Sequence, residues 1–446
     1  MKSSKKSSVS TPGSGAGMNA GMNADIIIVG GGLAGGLTAL RLSQIHPDKK
    51  TLLLERGPTL GGNHTWGFHE SDLHAPEPSN DPSRKTELWM KPLISNSWDA
   101  HEVRFPKLTR ITETPYHAIR SERFHSGLIE KLGRNVRLGC DVQRITASEV
   151  VTSAGEVLRA PLIIDASGIK PNQQTPRTFA EASCGWMKFV GFDLKLKKPH
   201  GLQRPILVDA TIPQMDGFRY FVCLPWDDHR ILIEETFQSS APELNHERIS
   251  RSITAYAVRA GWDIESIERT EEGHQPLPLY ALEYDRPSEK AVEFDGEDFV
   301  DESPVSISSG VGWFHSATSR SLPDAVRIAD FVCALPQLRT GPVRAELRDY
   351  RKNWIDQQKF YRLLNRLMFR AVEPSLRYLL LERFYGLRED LIERFFAGTS
   401  TRADRPKILG AKPIVRPGRA AKNWMDDVPA APVPAKVEAA SETTTV

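Results

Sequence analysis

A chain of 446 residues with 40% hydrophobic residues and a net charge of +2 has core enough for two or three domains, and that charge balance calls for no nucleic-acid partner. No apolar run approaches the roughly 18–20 residues that a transmembrane helix needs. The four cysteines, Cys140, Cys184, Cys223 and Cys333, show no C-x-x-C spacing, so free thiols in a reducing compartment are expected rather than disulfides or a metal site.

Residues 1–24 are rich in Ser, Gly and Met, carry charge only at Lys2, Lys5 and Lys6, and lack the apolar core of a secretory signal; a disordered extension is expected. Order begins at Asp25-Ile-Ile-Ile-Val-Gly-Gly-Gly-Leu-Ala-Gly-Gly36. The β-branched run Ile26 to Val29 reads as a buried strand, and Leu33, Leu37 and Leu40 follow at helical spacing. Between them Gly30, Gly32 and Gly35 fall on the G-x-G-x-x-G pattern. In that pattern one glycine makes the turn, one admits a pyrophosphate, and one lets helix and strand pack closely. Leu33 and Ala34 then open the helix, whose first N–H groups favour phosphate. A second strand, Thr51 to Arg56, carries Glu55 twenty residues after Gly35, where a carboxylate should receive a ribose hydroxyl. Gly61-Gly62 just beyond favours FAD over NAD.

Asn63 to His69 holds two histidines but no third ligand nearby, so a loop beside the flavin is expected there rather than a metal site. Residues 75–98 read as an irregular insertion. Ser121 to Leu132 has a helical pattern, and Arg123 in its first turn either reaches the flavin pyrophosphate or is simply solvated. Short strands follow around Val136, Val142, Val150 and Leu162–Asp165, with a turn at Ala154-Gly155.

From about residue 171 the texture becomes alternating and aromatic, as in Met187 to Leu194 and the hairpin Phe218–Leu224 with Arg230–Phe237. This is the expected second domain, an antiparallel sheet over the flavin. Its last strand contains Glu234-Glu235, and alternation sends these two side chains to opposite faces. A carboxyl among apolar strand residues must be paired, or protonated with a raised pKa as an acid catalyst needs. Glutamates at the surface of a strand end are the alternative. Val305 to Asp330 returns to the first domain, with Gly310 and Gly312 in a turn before a helix that suits the far side of an FAD site. Residues 351–396 are helical, and Lys359, Arg362, Arg366 and Arg370 line one face, a candidate membrane-facing surface.

On these residues the chain resembles the bacterial lycopene β-cyclases, over roughly 25–410. The pieces that carry the resemblance are the glycine loop with Leu33-Ala34, Gly61-Gly-Asn-His-Thr-Trp66, Pro205-Ile-Leu-Val-Asp-Ala-Thr211 and Leu232-Ile-Glu-Glu-Thr236. Phe314-His315, Ser321-Leu-Pro323 and Leu391 to Gly398 extend it. One segment departs: where the family reads His-Pro-Thr-Thr-Gly-Tyr-Ser-Leu-Pro, this chain has His315-Ser-Ala-Thr-Ser-Arg-Ser-Leu-Pro323. If the glycine that Ser319 replaces lets backbone approach the flavin, weaker binding or a tilted ring is expected; Arg320 puts a cation where an aromatic stands, either to stabilise an anionic reduced flavin or to oppose a carbocation.

The resemblance implies a mixed α/β fold. An FAD-binding Rossmann-type domain of the glutathione-reductase/hydroxylase-like kind (25–75, 120–170, 300–335) joins an antiparallel β-sheet substrate domain (76–119, 171–299), a helical part (336–412) and a disordered tail (413–446). It further implies non-redox cyclisation of the ψ-ends of lycopene, or of another ψ-ended carotenoid, to β-rings. Glu234 would be the acid, and Glu235 would face away to support structure or proton supply. Reduced FAD would stabilise the cation, with NAD(P)H needed only as reductant. A long hydrocarbon substrate implies a cytoplasmic protein held peripherally at the inner face of the membrane. Two other readings stay open on the same fold: a flavin-dependent hydroxylase or isoprenoid reductase, and a non-catalytic flavoprotein.

Overall fold

The computed structural model describes residues 23–73, 89–168, 183–282 and 302–410; the expected extension up to residue 22, residues 75–88 of the expected insertion and the expected tail lie outside them. Ile26–Val29 forms a fully buried strand, paired in parallel with Thr51–Leu54 on one side and Leu162–Asp165 on the other. Val136–Arg137 and Val305–Ser306 complete a five-stranded parallel sheet. Such a sheet must be covered on both faces. Ile26 and Ile28 enter a core with Leu37, Leu40 and Val326, under the helices Leu33–Ile45 and Leu322–Ala334. Ile27 and Val29 enter another with Val150 and Leu158, under the small antiparallel sheet Val142–Ile145, Glu149–Thr152 and Val157–Arg159.

The second sheet has seven strands, in the order Ile264–Pro278, Cys184–Leu196, Arg230–Ser239, Phe218–Pro225, Ile206–Asp209, His101–Phe105 and Leu108–Thr112. It is antiparallel except where Ile206–Asp209 meets His101–Phe105, a strand from far earlier in the chain that docks in parallel. The helix His246–Arg259 packs Ile249, Ile253 and Tyr256 on one face of this sheet.

Two expectations are corrected. The stretch expected as a loop is the strand Thr65–His69, paired antiparallel with Tyr116–Arg120; its partner lies some fifty residues on, so no local pattern announces it. Half of the basic stripe does not face solvent either: Lys359 and Arg370 are exposed, but Arg362 and Arg366 are not. In the helix Thr340–Arg366, Arg362 and Arg366 are 1% and 4% exposed, and Arg366 Nη1 donates to the Leu279 carbonyl at 2.7 Å. Lys359 is paired with Asp356 at 3.1 Å. The helix is wedged between the second sheet and the short helices Tyr378–Tyr385 and Glu389–Phe396, so two of the stripe's four cations serve packing.

Candidate active site

The first turn of the Leu33–Ile45 helix is built by glycines for distinct reasons. Gly30 has φ +104°, and a Cβ there would meet the Ala166 carbonyl oxygen at 2.5 Å. A Cβ at Gly35 would stand 2.0 Å from the Gly30 carbonyl oxygen, so helix and strand touch through bare backbone. At Gly32, by contrast, a Cβ would meet nothing within 4 Å, and no side chain caps the helix that starts at Leu33 and Ala34. Open space over an uncapped helix N-terminus fits a diphosphate. Glu55 Oε2 accepts from Gly31 N–H and its Oε1 from Gly57 N–H, each at 2.7 Å, which fixes the carboxylate beside the loop. Arg123 is exposed on the helix Ser121–Leu132, whose Phe124 packs against Trp66. Gly312 lies at φ +88°, where a Cβ would meet Leu282 Cδ1 at 2.5 Å; it serves the turn.

The departing segment is tied down residue by residue. Ser316 N–H donates to Gln358 Oε1 at 2.9 Å. Ser319 takes a left-handed φ of +55°, a conformation that costs an L-residue roughly 1–2 kcal/mol, and its hydroxyl donates to the Pro276 carbonyl at 2.5 Å. Arg320 donates to the Gly67 carbonyl at 2.6 Å and pairs with Asp72 at 3.1 Å. Burial would raise the Asp72 carboxyl, but Arg320 and then His69 outweigh it and hold it down at about 2.

Between the second sheet, the Thr65–His69 strand and the C-terminal helices lies a cavity of about 520 Å³. Trp66, Tyr116, Phe218 and Tyr220 line it with rings, and Leu224 and Leu232 with aliphatic surface. Into this lining points Glu234. Its Oε1 accepts from Thr236 Oγ1 at 2.5 Å. Burial, then the charge of Glu271, push the Glu234 carboxyl up to about 8, against the Thr236 hydrogen bond. A carboxyl that keeps its proton at neutral pH in an apolar pocket is equipped to give that proton to a substrate with no polar handle.

Glu235 does not reach the cavity. Alternation turns it to the other face, fully buried, where it pairs with Arg219 Nε. Arg219 also donates to Ser252 Oγ at 2.6 Å and the Pro213 carbonyl at 2.9 Å, so Glu235 anchors the strand from behind. Two participants escaped sequence reasoning. One is the His69–Asp72–Arg320 cluster, joined from segments some 250 residues apart. The other is Glu271, on a strand whose pairing was not read; the isolated Gly191 in the neighbouring strand was its available signal.

The family model described as "Lycopene cyclase protein" matches residues 25–422. A lycopene beta-cyclase of Pseudescherichia vulneris is 36% identical over 408 residues, covering 90% of this chain and 98% of that one. A second, of Pantoea ananas, is 35% identical over 392 residues, covering 88% and 95%. Among solved structures, PqsL, a probable FAD-dependent monooxygenase of Pseudomonas aeruginosa, shares the fold at a TM-score of 0.50 and 14% identity, covering 80% of this chain and 98% of that one.

Proposed function

The chain belongs to the lycopene cyclase family, and from that premise we propose that it is a lycopene β-cyclase that closes the linear ψ-ends of lycopene, through γ-carotene, into the β-rings of β-carotene. The observation that carries this reading is a buried carboxyl, Glu234, aimed into an aromatic and aliphatic cavity, where burial favours its protonated form. The Glu234 proton forms a C–H bond at the terminal double bond, leaving a tertiary cation. The chain closes on that cation with a new carbon–carbon bond, and transfer of one ring proton to a base completes an isomer of the substrate. Tyr220 and Phe218, stacked on each other at 4.8 Å between centroids, bring aromatic rings to the cavity wall, where they favour a cation. The largely apolar lining disfavours the water that would capture it. Arg320 reaches the cavity with its charge matched by Asp72, which limits its opposition to a carbocation.

The cradle at Gly30, Gly32, Leu33, Ala34 and Gly35, with Glu55 beside it, suits the diphosphate and ribose of FAD. When bound in its reduced form, with NAD(P)H as reductant, FAD supplies negative charge that stabilises the cationic transition state. Supply of the hydrocarbon is read from the far end of the cavity, where Leu380, Leu381, Ile408 and Leu409 form the lining and Leu376 nearby is 43% exposed. This apolar rim supports peripheral docking on a bilayer. Among the described residues, no helix is long and apolar enough to cross a membrane.

The test is an anaerobic reaction of lycopene in liposomes with chemically reduced FAD and heavy water, with products read by mass. An isomeric β-ring product carrying one deuterium per ring is expected. Added oxygen or two added hydrogens in the product would instead assign a flavin oxidoreductase.

A further inference from the structure

Gly191, in the middle of the Cys184–Leu196 strand, is the cross-strand partner of Glu234 on one side and of Glu271 on the other. Three residues in one row across a sheet point their Cβ positions to the same face. A Cβ on Gly191 would stand 3.1 Å from Leu232 Cδ1, which leans over the glycine from the Glu234 strand, 3.2 Å from Glu271 Cγ and 3.4 Å from Glu234 Cβ. The middle strand thus places no side chain between the two carboxyl groups. Glu271 is 2% exposed, and its Oε2 accepts from Thr65 Oγ1 at 2.9 Å and pairs with Arg269 at 3.0 Å. Arg269 is held in turn by Asp193 at 2.6 Å and by Asn63 Oδ1 at 3.1 Å. Glu271 is therefore anchored behind the cavity wall, while Glu234 stands on it.

We propose that Glu271 is a positioning residue of this site, whose carboxylate sets the protonation state of Glu234 across the gap left by Gly191. This role rests on the reading of Glu234 as the acid. Two ionised carboxylates in one poorly solvated space repel strongly, so the pair holds a proton between pH values at which a solvated glutamate has lost its own. Arg269 and Thr65 favour the charge on Glu271, which leaves the proton on Glu234. Of the other groups around Glu234, Arg320 reaches the same cavity with its charge matched by Asp72, and the rest supply no charge. Tyr220 comes from the Phe218–Pro225 strand and Tyr116 from the Tyr116–Arg120 strand, and burial keeps both phenols neutral. Thr236, on its own strand, gives only a hydrogen bond. Burial, opposed by Arg269 and Thr65, also pushes Glu271 up, to about 7, in agreement with a pair that shares its ionisation.

The experiment is an infrared titration of the full chain, following the protonated-carboxyl band that Glu234→Gln removes. In the unsubstituted protein its midpoint is expected above neutrality. In Glu271→Gln the like charge is gone and Arg269 remains, so the midpoint is expected to fall by about one pH unit or more. Glu271→Asp keeps the charge and should keep the midpoint raised. It also serves where the glutamine variant does not fold. An unmoved midpoint in folded Glu271→Gln, or a midpoint lost in Glu271→Asp, would overturn the proposal. The readout needs no turnover, so it separates the two readings. A shifted midpoint in a protein that never cyclises lycopene would leave the coupling standing and remove the function; cyclisation with an unmoved midpoint would do the reverse.

Discussion

Glu234 and Glu235 are neighbours in sequence, yet substitution should treat them differently. Strand alternation gives one a cavity and the other an arginine. Glu234→Gln is expected to abolish cyclisation without unfolding the protein. Its carboxyl has a folded pKa above the unfolded one, so the folded state binds the extra proton and stability declines as pH rises from about 4.5 towards about 8. The glutamine carries no such penalty, and calorimetry near neutral pH should show an equal or higher melting temperature. Glu235→Gln leaves Arg219 buried without its counter-charge, at a cost of about 3–5 kcal/mol. A melting temperature unchanged in Glu235→Gln would contradict the anchoring role. The opposite facing of the two was legible from the sequence, because it needs only period two. The raised pKa of Glu234 was not, because it depends first on burial in a cavity assembled from distant segments and then on Glu271, a residue brought alongside by pairing with a strand between them.

Among elements, the glycine loop separates what packs from what binds. Gly35→Ala forces a Cβ into the Gly30 carbonyl, and a stability loss of about 1–3 kcal/mol is expected, measured by chemical denaturation. Gly32→Ala has an ordinary φ of −73° and open space around it, so the fold should be unaffected. Its methyl group would instead occupy the approach to the helix N-terminus, and FAD affinity is expected to fall about tenfold or more by fluorescence titration. Equal FAD affinity in Gly32→Ala would remove this loop from the flavin site. The strand–turn–helix was readable because its spacing is local. The Thr65–His69 strand was not, since a five-residue segment of mixed polarity becomes a strand only when Tyr116–Arg120 lies beside it. The segment with Ser319 shows the same dependence: its positive φ is held by Pro276, Gln358 and Asp72, from three separate places in the chain.

For the molecule as a whole, the cavity joins both halves, and the C-terminal helices line its far end. If this end rests on the bilayer, replacing apolar rim residues should matter more than removing surface charge. Leu376→Asp combined with Leu380→Asp is expected to weaken liposome co-sedimentation about tenfold, whereas Lys359→Ala with Arg370→Ala should change it little. The reverse result would restore the basic stripe. That stripe was legible only as a pattern: helical spacing places four cations together, but it cannot tell a solvated arginine from one buried against a carbonyl. The sequence by itself determined the strand–turn–helix of the glycine cradle, the presence of an antiparallel sheet and the opposite facing of Glu234 and Glu235, because each follows from periodicity or spacing within a few dozen residues. Only the tertiary structure decided that Glu271 faces Glu234 across Gly191, that Asp72 matches Arg320, and that Arg362 and Arg366 are internal. Those facts depend on which distant segments share a low-dielectric space, and no local pattern in the chain encodes that.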